Sequence, residues 1–102
     1  MGVGAFEVTY HELVAREDVS KLATTDKIRI QRAIEEKLAD KPEIFGKPLR
    51  RSLKGYRKLR VGDYRIIFRI EKQLVKIFCI GHRSVVYKHR NRRMAVSSNL
   101  TF

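Results

Sequence analysis

A chain of 102 residues holds one small domain, long enough to bury a core without covalent staples. Its single cysteine excludes an internal disulfide, and the lack of any run of 18 apolar residues excludes a helical membrane span. The formal net charge of +12 is unevenly spread: residues 1–46 carry 7 Lys/Arg and 9 Asp/Glu, a net of −2, whereas residues 47–93 carry 16 Lys/Arg against only Asp63 and Glu71, a net of +14.

In chain order, Phe6, Val8 and Tyr10 alternate with polar residues and predict a short first strand. Residues 11–22 form a weak helical pattern with Leu13, Val14 and Leu22 inward. A clearer helix follows, capped by Thr24 or Thr25, with Ile30, Ala33, Ile34 and Leu38 on one face. Lys41-Pro42 ends it, because the residue before a proline disfavours helical angles. Beyond Gly55 the period changes to two. Strands are predicted over 56–61, 64–70 and 74–80, separated by Gly62-Asp63 and Glu71-Lys72-Gln73 and stopped by Gly81. The fold class is therefore α+β, an N-terminal helical hairpin packed on a twisted antiparallel sheet. Residues 1–88 make the domain, and the basic then polar residues 89–102 read as a flexible C-terminal tail.

A two-residue loop at Gly62-Asp63 fixes the hairpin register, with Val61 opposite Tyr64 and Arg60 opposite Arg65. Alternation then places Leu59, Val61, Tyr64, Ile66, Phe68 and the polar exception Arg57 on the face toward the helices. The other face collects Tyr56, Lys58, Arg60, Arg65 and Arg69 around Ile67. Directly opposed like charges cost roughly 0.2–1 kcal/mol, and no acid on that face relieves Arg60 and Arg65. Such a local conflict marks a functional surface. A phosphate gripped by guanidinium forks would resolve it, so a nucleic acid is the partner the charge predicts. No Cys/His spacing fits a zinc site, no metal or cofactor is expected, and the unpaired cysteine points to a reducing, cytoplasmic setting. Cys79, inside an apolar strand, reads as a small buried hydrophobe.

The run Leu53-Lys54-Gly55-Tyr56-Arg57-Lys58-Leu59-Arg60-Val61-Gly62-Asp63-Tyr64-Arg65-Ile66-Ile67-Phe68, then Ile80-Gly81-His82-Arg83 and Val85-Val86-Tyr87, resembles the RelE/ParE superfamily of type II toxins. Glu43–Leu49 fits as the lead-in. The resemblance implies paired helices on a twisted antiparallel sheet and a cognate antitoxin that silences the toxin. It implies one of two activities: cleavage of messenger RNA, commonly in the ribosomal A site, or poisoning of DNA gyrase without nuclease chemistry. For a nuclease, the resemblance gives Arg65 the scissile phosphate, Lys58 a part in proton transfer, Arg83 the place of a second catalytic arginine, and Tyr87 the positioning of the cleaved base and 2′-hydroxyl. The pattern's further lysine, two residues before Lys58, is Tyr56 in this chain; Lys54, Arg57 or Arg60 can supply that charge.

The chemistry is coherent without a metal. A 2′-hydroxyl attacks the adjacent phosphorus in line, and the catalyst must move two protons and neutralise the added negative charge. Clustered positive charge favours a neutral amine at Lys58, which makes it a proton carrier, with His82 as its rival. Tyr56 and Tyr87 can stack on an unstacked base, while Lys54, Arg57, Arg60, Arg69 and His82 extend the RNA-binding surface. The expected partners are mRNA, the ribosome and an antitoxin, with no membrane.

Overall fold

The computed structural model describes residues 5–49 and 55–97, with side chains through Met94. Its centre is a five-stranded sheet in the order β1-β5-β4-β3-β2, with β1 Glu7–Tyr10, β2 Lys47–Pro48, β3 Tyr56–Val61, β4 Tyr64–Glu71 and β5 Leu74–His82. The α+β class holds, but the sheet is mixed. Strand β1 runs parallel to β5, pairing Glu7 with Leu74 and Tyr10 with Ile77. Alternation reveals that β1 is a strand; it does not encode the direction of a partner more than sixty positions away.

The β3–β4 hairpin adopts the register predicted from its loop, from Tyr56 opposite Arg69 to Val61 opposite Tyr64. Gly62, at φ +60°, takes the left-handed conformation that a type II′ turn requires at its first loop position. Strands β4 and β5 pair on with one irregularity: Ile67 faces Cys79 and Phe68 faces Ile77, so Phe78 is an extra residue.

One face of the sheet packs on the N-terminal helical segments. A π turn over Val14–Asp18 runs into a 3-10 turn over Val19–Lys21; α1 then spans Thr24–Ala33 and continues as a π turn over Ile34–Leu38. Ile30, Ala33, Ile34 and Leu38 are all buried there with Val14, Leu22, Leu59, Ile66 and Phe68. The N-cap is Ala23, in extended conformation and without a side-chain cap, one residue before the first of the two predicted caps. Thr24 and Thr25 are its first residues. The short α2, Pro42–Phe45, has its proline at the first turn, where the missing N–H has no intrahelical partner to lose.

The largest departure is on the opposite face. Residues 89–97 of the predicted flexible tail are instead part of a helix, α3, over Val86–Ser97, and residues 98–102 lie outside the described residues. Val86 is buried with Ile67, Phe78 and Cys79 in a second core, which Leu49, Tyr56, Tyr87 and Met94 flank. The domain therefore extends past residue 88. Arg93 anchors the helix: its guanidinium meets the Asp18 carboxylate at 2.8 and 3.0 Å and donates to the Phe78 carbonyl at 2.9 Å. The same carboxylate accepts the Ile80 N–H at 2.9 Å, sealing the part of the β5 edge that β1 does not cover. Both side chains are nearly inaccessible, at 5% and 3% exposure. Burial alone would lower the arginine's pKa, yet the Asp18 hydrogen bonds and charge raise it, so the guanidinium stays charged. A charge-rich helix with a buried arginine has no apolar stripe for sequence periodicity to find.

Candidate functional site

Three elements converge at one corner of the outer face. Lys58 and Arg65 project from β3 and β4 by the period-two alternation that buries Leu59 and Ile66 on the inner side. At the end of β5 the chain turns, with the Val85 N–H donating to the His82 carbonyl at 3.0 Å, and enters α3, which delivers Tyr87. A Cβ at Gly81 would stand 3.4 Å from Val86 Cβ, an ordinary van der Waals contact, so the turn packs against α3 without demanding a glycine. The Arg83 N–H donates to the Asp63 carbonyl at 2.8 Å and ties the turn to the hairpin tip.

The result is an open cleft of about 460 Å³ lined by Lys58, Arg65, His82, Arg83, Ser84 and Tyr87. A second recess, lined by Lys47, Pro48, Leu49, Lys58, Tyr87 and Arg90, continues it across the sheet. Lys58 and Tyr87 border both. Arg65 Nη1 donates to the Gly62 and Tyr64 carbonyls, each at 3.0 Å, which fixes the guanidinium without neutralising it. Arg83 has only a loose contact, 3.8 Å, with the exposed Asp63 carboxylate. The Arg90 guanidinium lies 5.8 Å from the Tyr87 ring centre, within cation–π range. Among the described residues no carboxylate lines either recess, so the surface suits a polyanion with an unstacked base.

The four residues assigned catalytic work, Lys58, Arg65, Arg83 and Tyr87, thus share one cleft, and His82 joins them. The wider set divides. Arg57 points inward and donates to the Gly46 carbonyl at 3.1 Å, a structural contact beneath α2 and not a cleft group. Tyr56 packs 5.4 Å from Phe78 under Arg69, and Arg69 is paired with Glu71 at 3.3 Å. Neither lines the cleft. Arg60 is exposed opposite Arg65 and forms no ion pair among the described residues. Lys54 lies outside the described residues. The sequence reading missed Ser84, Lys47 and Arg90; Ser84 had a local signal, a serine two residues after a histidine at a strand-ending turn.

Two shifted groups border the site. Burial pushes the Cys79 thiol up to about 12, so it is a core residue and not a nucleophile. Desolvation, with the Asp26 and Asp63 carboxylates nearby, raises the Tyr64 phenol above its ordinary value and keeps it neutral.

Helical segments thus cover one face of a small sheet, and the other carries an unneutralised cationic cleft bordered by α3. Residues 12–87 match the family model for the ParE toxin of type II toxin–antitoxin systems, parDE, and the chain belongs to this family. Among relatives, Toxin RelG of Mycobacterium tuberculosis is 38% identical over 80 residues, covering 72% of this chain and 87% of its own. Toxin RelE of the same organism is 40% identical over 53 residues, covering 50% of this chain; the match spans 55% of that relative's length. In three dimensions the chain superposes on the toxin–antitoxin complex RelBE2 from M. tuberculosis with a TM-score of 0.72 at 30% identity, covering 79% of this chain and 94% of the other. The isolated Escherichia coli RelE toxin shares the fold, with a TM-score of 0.64 at 21% identity over 88% of this chain and 99% of that one.

Proposed function

We propose that this toxin is a metal-independent mRNA endoribonuclease that acts in the cytoplasm on ribosome-bound messages. The observation that carries the reading is the convergence of Lys58, Arg65, Arg83 and Tyr87 on one cleft from separate elements. In the proposed reaction the 2′-hydroxyl attacks the adjacent phosphorus and the 5′-oxygen leaves, giving a 2′,3′-cyclic phosphate and a 5′-hydroxyl. Arg65 and Arg83 stabilise the doubly charged phosphorane; preorganised donors act most strongly where charge develops. Lys58, the only amine among the described residues that line the main cleft, shuttles a proton. Tyr87, between the two recesses, stacks on the base next to the scissile bond, and Lys47 and Arg90 hold the following phosphate.

A cognate antitoxin is the second partner, as the RelBE2 complex supports. An acidic or amphipathic segment suits a region of net +14 over residues 47–93. Its association should slow as salt rises, through lost electrostatic steering; an on-rate indifferent to salt would count against this choice of partner.

The gyrase reading has its own support, since the matching family model is that of ParE toxins. Such a toxin would need the basic surface for docking but not a proton carrier within it. Single-turnover cleavage of a ribosome-bound message, run beside a gyrase cleavage assay, separates the two. Message cleavage with a cyclic-phosphate end supports the nuclease; stabilised gyrase–DNA cleavage without it transfers the assignment.

A further inference from the structure

Two donors from one residue converge on the same ring nitrogen of His82. The Ser84 backbone N–H lies 3.1 Å from Nδ1, and the Ser84 hydroxyl oxygen lies 2.8 Å from it. A backbone N–H can only donate, so Nδ1 accepts, and the neutral imidazole carries its proton on Nε2. The ring meets Tyr64 edge to face, 5.7 Å between centroids and 84° between planes, which restricts its rotation. It lines the main cleft with Lys58 from β3, Arg65 from β4, Arg83 and Ser84 from the turn, and Tyr87 from α3. In this state the imidazole can offer the cleft an N–H but no lone pair. It is held to donate to an anion, not to take a proton.

We infer that His82 is a further RNA-phosphate-contacting residue that donates its Nε2–H to a non-bridging oxygen, and that Ser84 is the positioning residue that sets this tautomer. This rests on the cleft being a phosphodiester site, and it reverses the expectation that His82 competes with Lys58 for the 2′-hydroxyl proton. Three observations point the same way: a nitrogen committed to Ser84, a ring held by Tyr64, and a place beside both cleft arginines.

Long-range proton–nitrogen NMR spectra of the full chain read the tautomer directly, whatever the activity. Above about pH 8, well past the ordinary imidazole value, Nε2 should be protonated and Nδ1 bare. Ser84→Ala should admit a measurable Nδ1–H population, and Ser84→Thr should restore the wild-type spectrum. A wild-type ring protonated on Nδ1 overturns the inference, and an unchanged Ser84→Ala spectrum removes the hydroxyl's role. In cleavage assays His82→Ala should lose roughly 10²-fold, as for removal of one oxyanion donor. His82→Gln keeps an amide N–H near the Nε2 position and should stay within about tenfold of wild type. Equal inactivity of the two variants makes His82 a proton carrier after all. Binding of a 2′-O-methyl RNA oligonucleotide, which cannot be cleaved, separates the two levels of the argument. Wild type that neither binds nor cleaves overturns the phosphodiester reading; an active wild type matched by His82→Ala in both assays overturns the role of His82 alone.

Discussion

Arg93 and Arg65 stand on the same side of the sheet, yet their surroundings are opposites. Arg93 is sunk between α3 and the N-terminal segment, with a carboxylate and a carbonyl satisfying it at 2.8 to 3.0 Å. Among the described residues Arg65 donates only to backbone carbonyls, and it faces a second arginine, Arg60, across the ladder. Charge that serves the fold is neutralised internally; the charge proposed to serve a ligand is oriented and left unbalanced. The contrast shows how to sort the many cations of this chain: by what each guanidinium or ammonium already has, and not by how exposed it is.

The largest test of that contrast is to unbalance the buried side. Asp18→Ala leaves Arg93 buried without its counter-charge and should destabilise the domain by roughly 3–5 kcal/mol in chemical denaturation, whereas Asp18→Asn with Arg93→Met should recover part of it. A single-site cost near zero would show that α3 does not depend on the pair. On the ligand side, Arg65→Ala and Arg83→Ala should each cost roughly 2.7–4 kcal/mol of transition-state stabilisation while leaving the denaturation midpoint nearly unmoved. Two folded, fully toxic variants would remove these arginines from the site. Lys58→Arg keeps the charge but cannot release its proton, so it should lose roughly 10²-fold or more in single-turnover cleavage with RNA binding intact. Wild-type cleavage would move proton transfer to Tyr87. Relieving the unbalanced pair should have the opposite sign: Arg60→Thr is expected to stabilise the fold by roughly 0.2–1 kcal/mol, measured the same way.

The smallest effect concerns His11, buried against Phe78 with ring centroids 5.3 Å apart. Burial, then the charge of Arg93, lowers its folded-state pKa below the ordinary imidazole value of 6.5, against the opposing pull of Glu12 and Asp18. The unfolded chain therefore binds this proton first as pH falls. Stability should be full above about pH 6.5 and decline below it until the folded-state value is passed. His11→Gln should flatten that part of a stability–pH curve, and an unchanged curve would assign the decline to other groups.

Most of the hairpin was readable because its information is local. A two-residue turn sets the register, the register sets the faces, and Lys58 and Arg65 follow. Arg83 and Tyr87 came from the family resemblance, and the turn after β5 brings them to the same cleft. What escaped depends on partners far along the chain: the Asp18 contacts to Ile80 and Arg93 span 62 and 75 positions. Periodicity therefore took α3 for a tail and missed the parallel pairing of β1. Arg57 shows the complementary error. Alternation had already turned it toward the helices, where the Gly46 carbonyl receives it, but the resemblance had enrolled it in RNA binding.

The extra residue in β5 separates alignment from support. Ile77 opposite Phe68 and Cys79 opposite Ile67 would be regular neighbours if Phe78 were absent, so the pairing that sets Arg65 beside Gly81 does not need it. Phe78 instead supplies a floor: its ring meets His11 and Tyr56, and its carbonyl receives Arg93. Removing it by deletion would leave the cleft's address on the sheet intact while withdrawing the foundation of the helix that closes it. In so short a sheet, one extra residue can thus change how firmly a site is held without changing where it is.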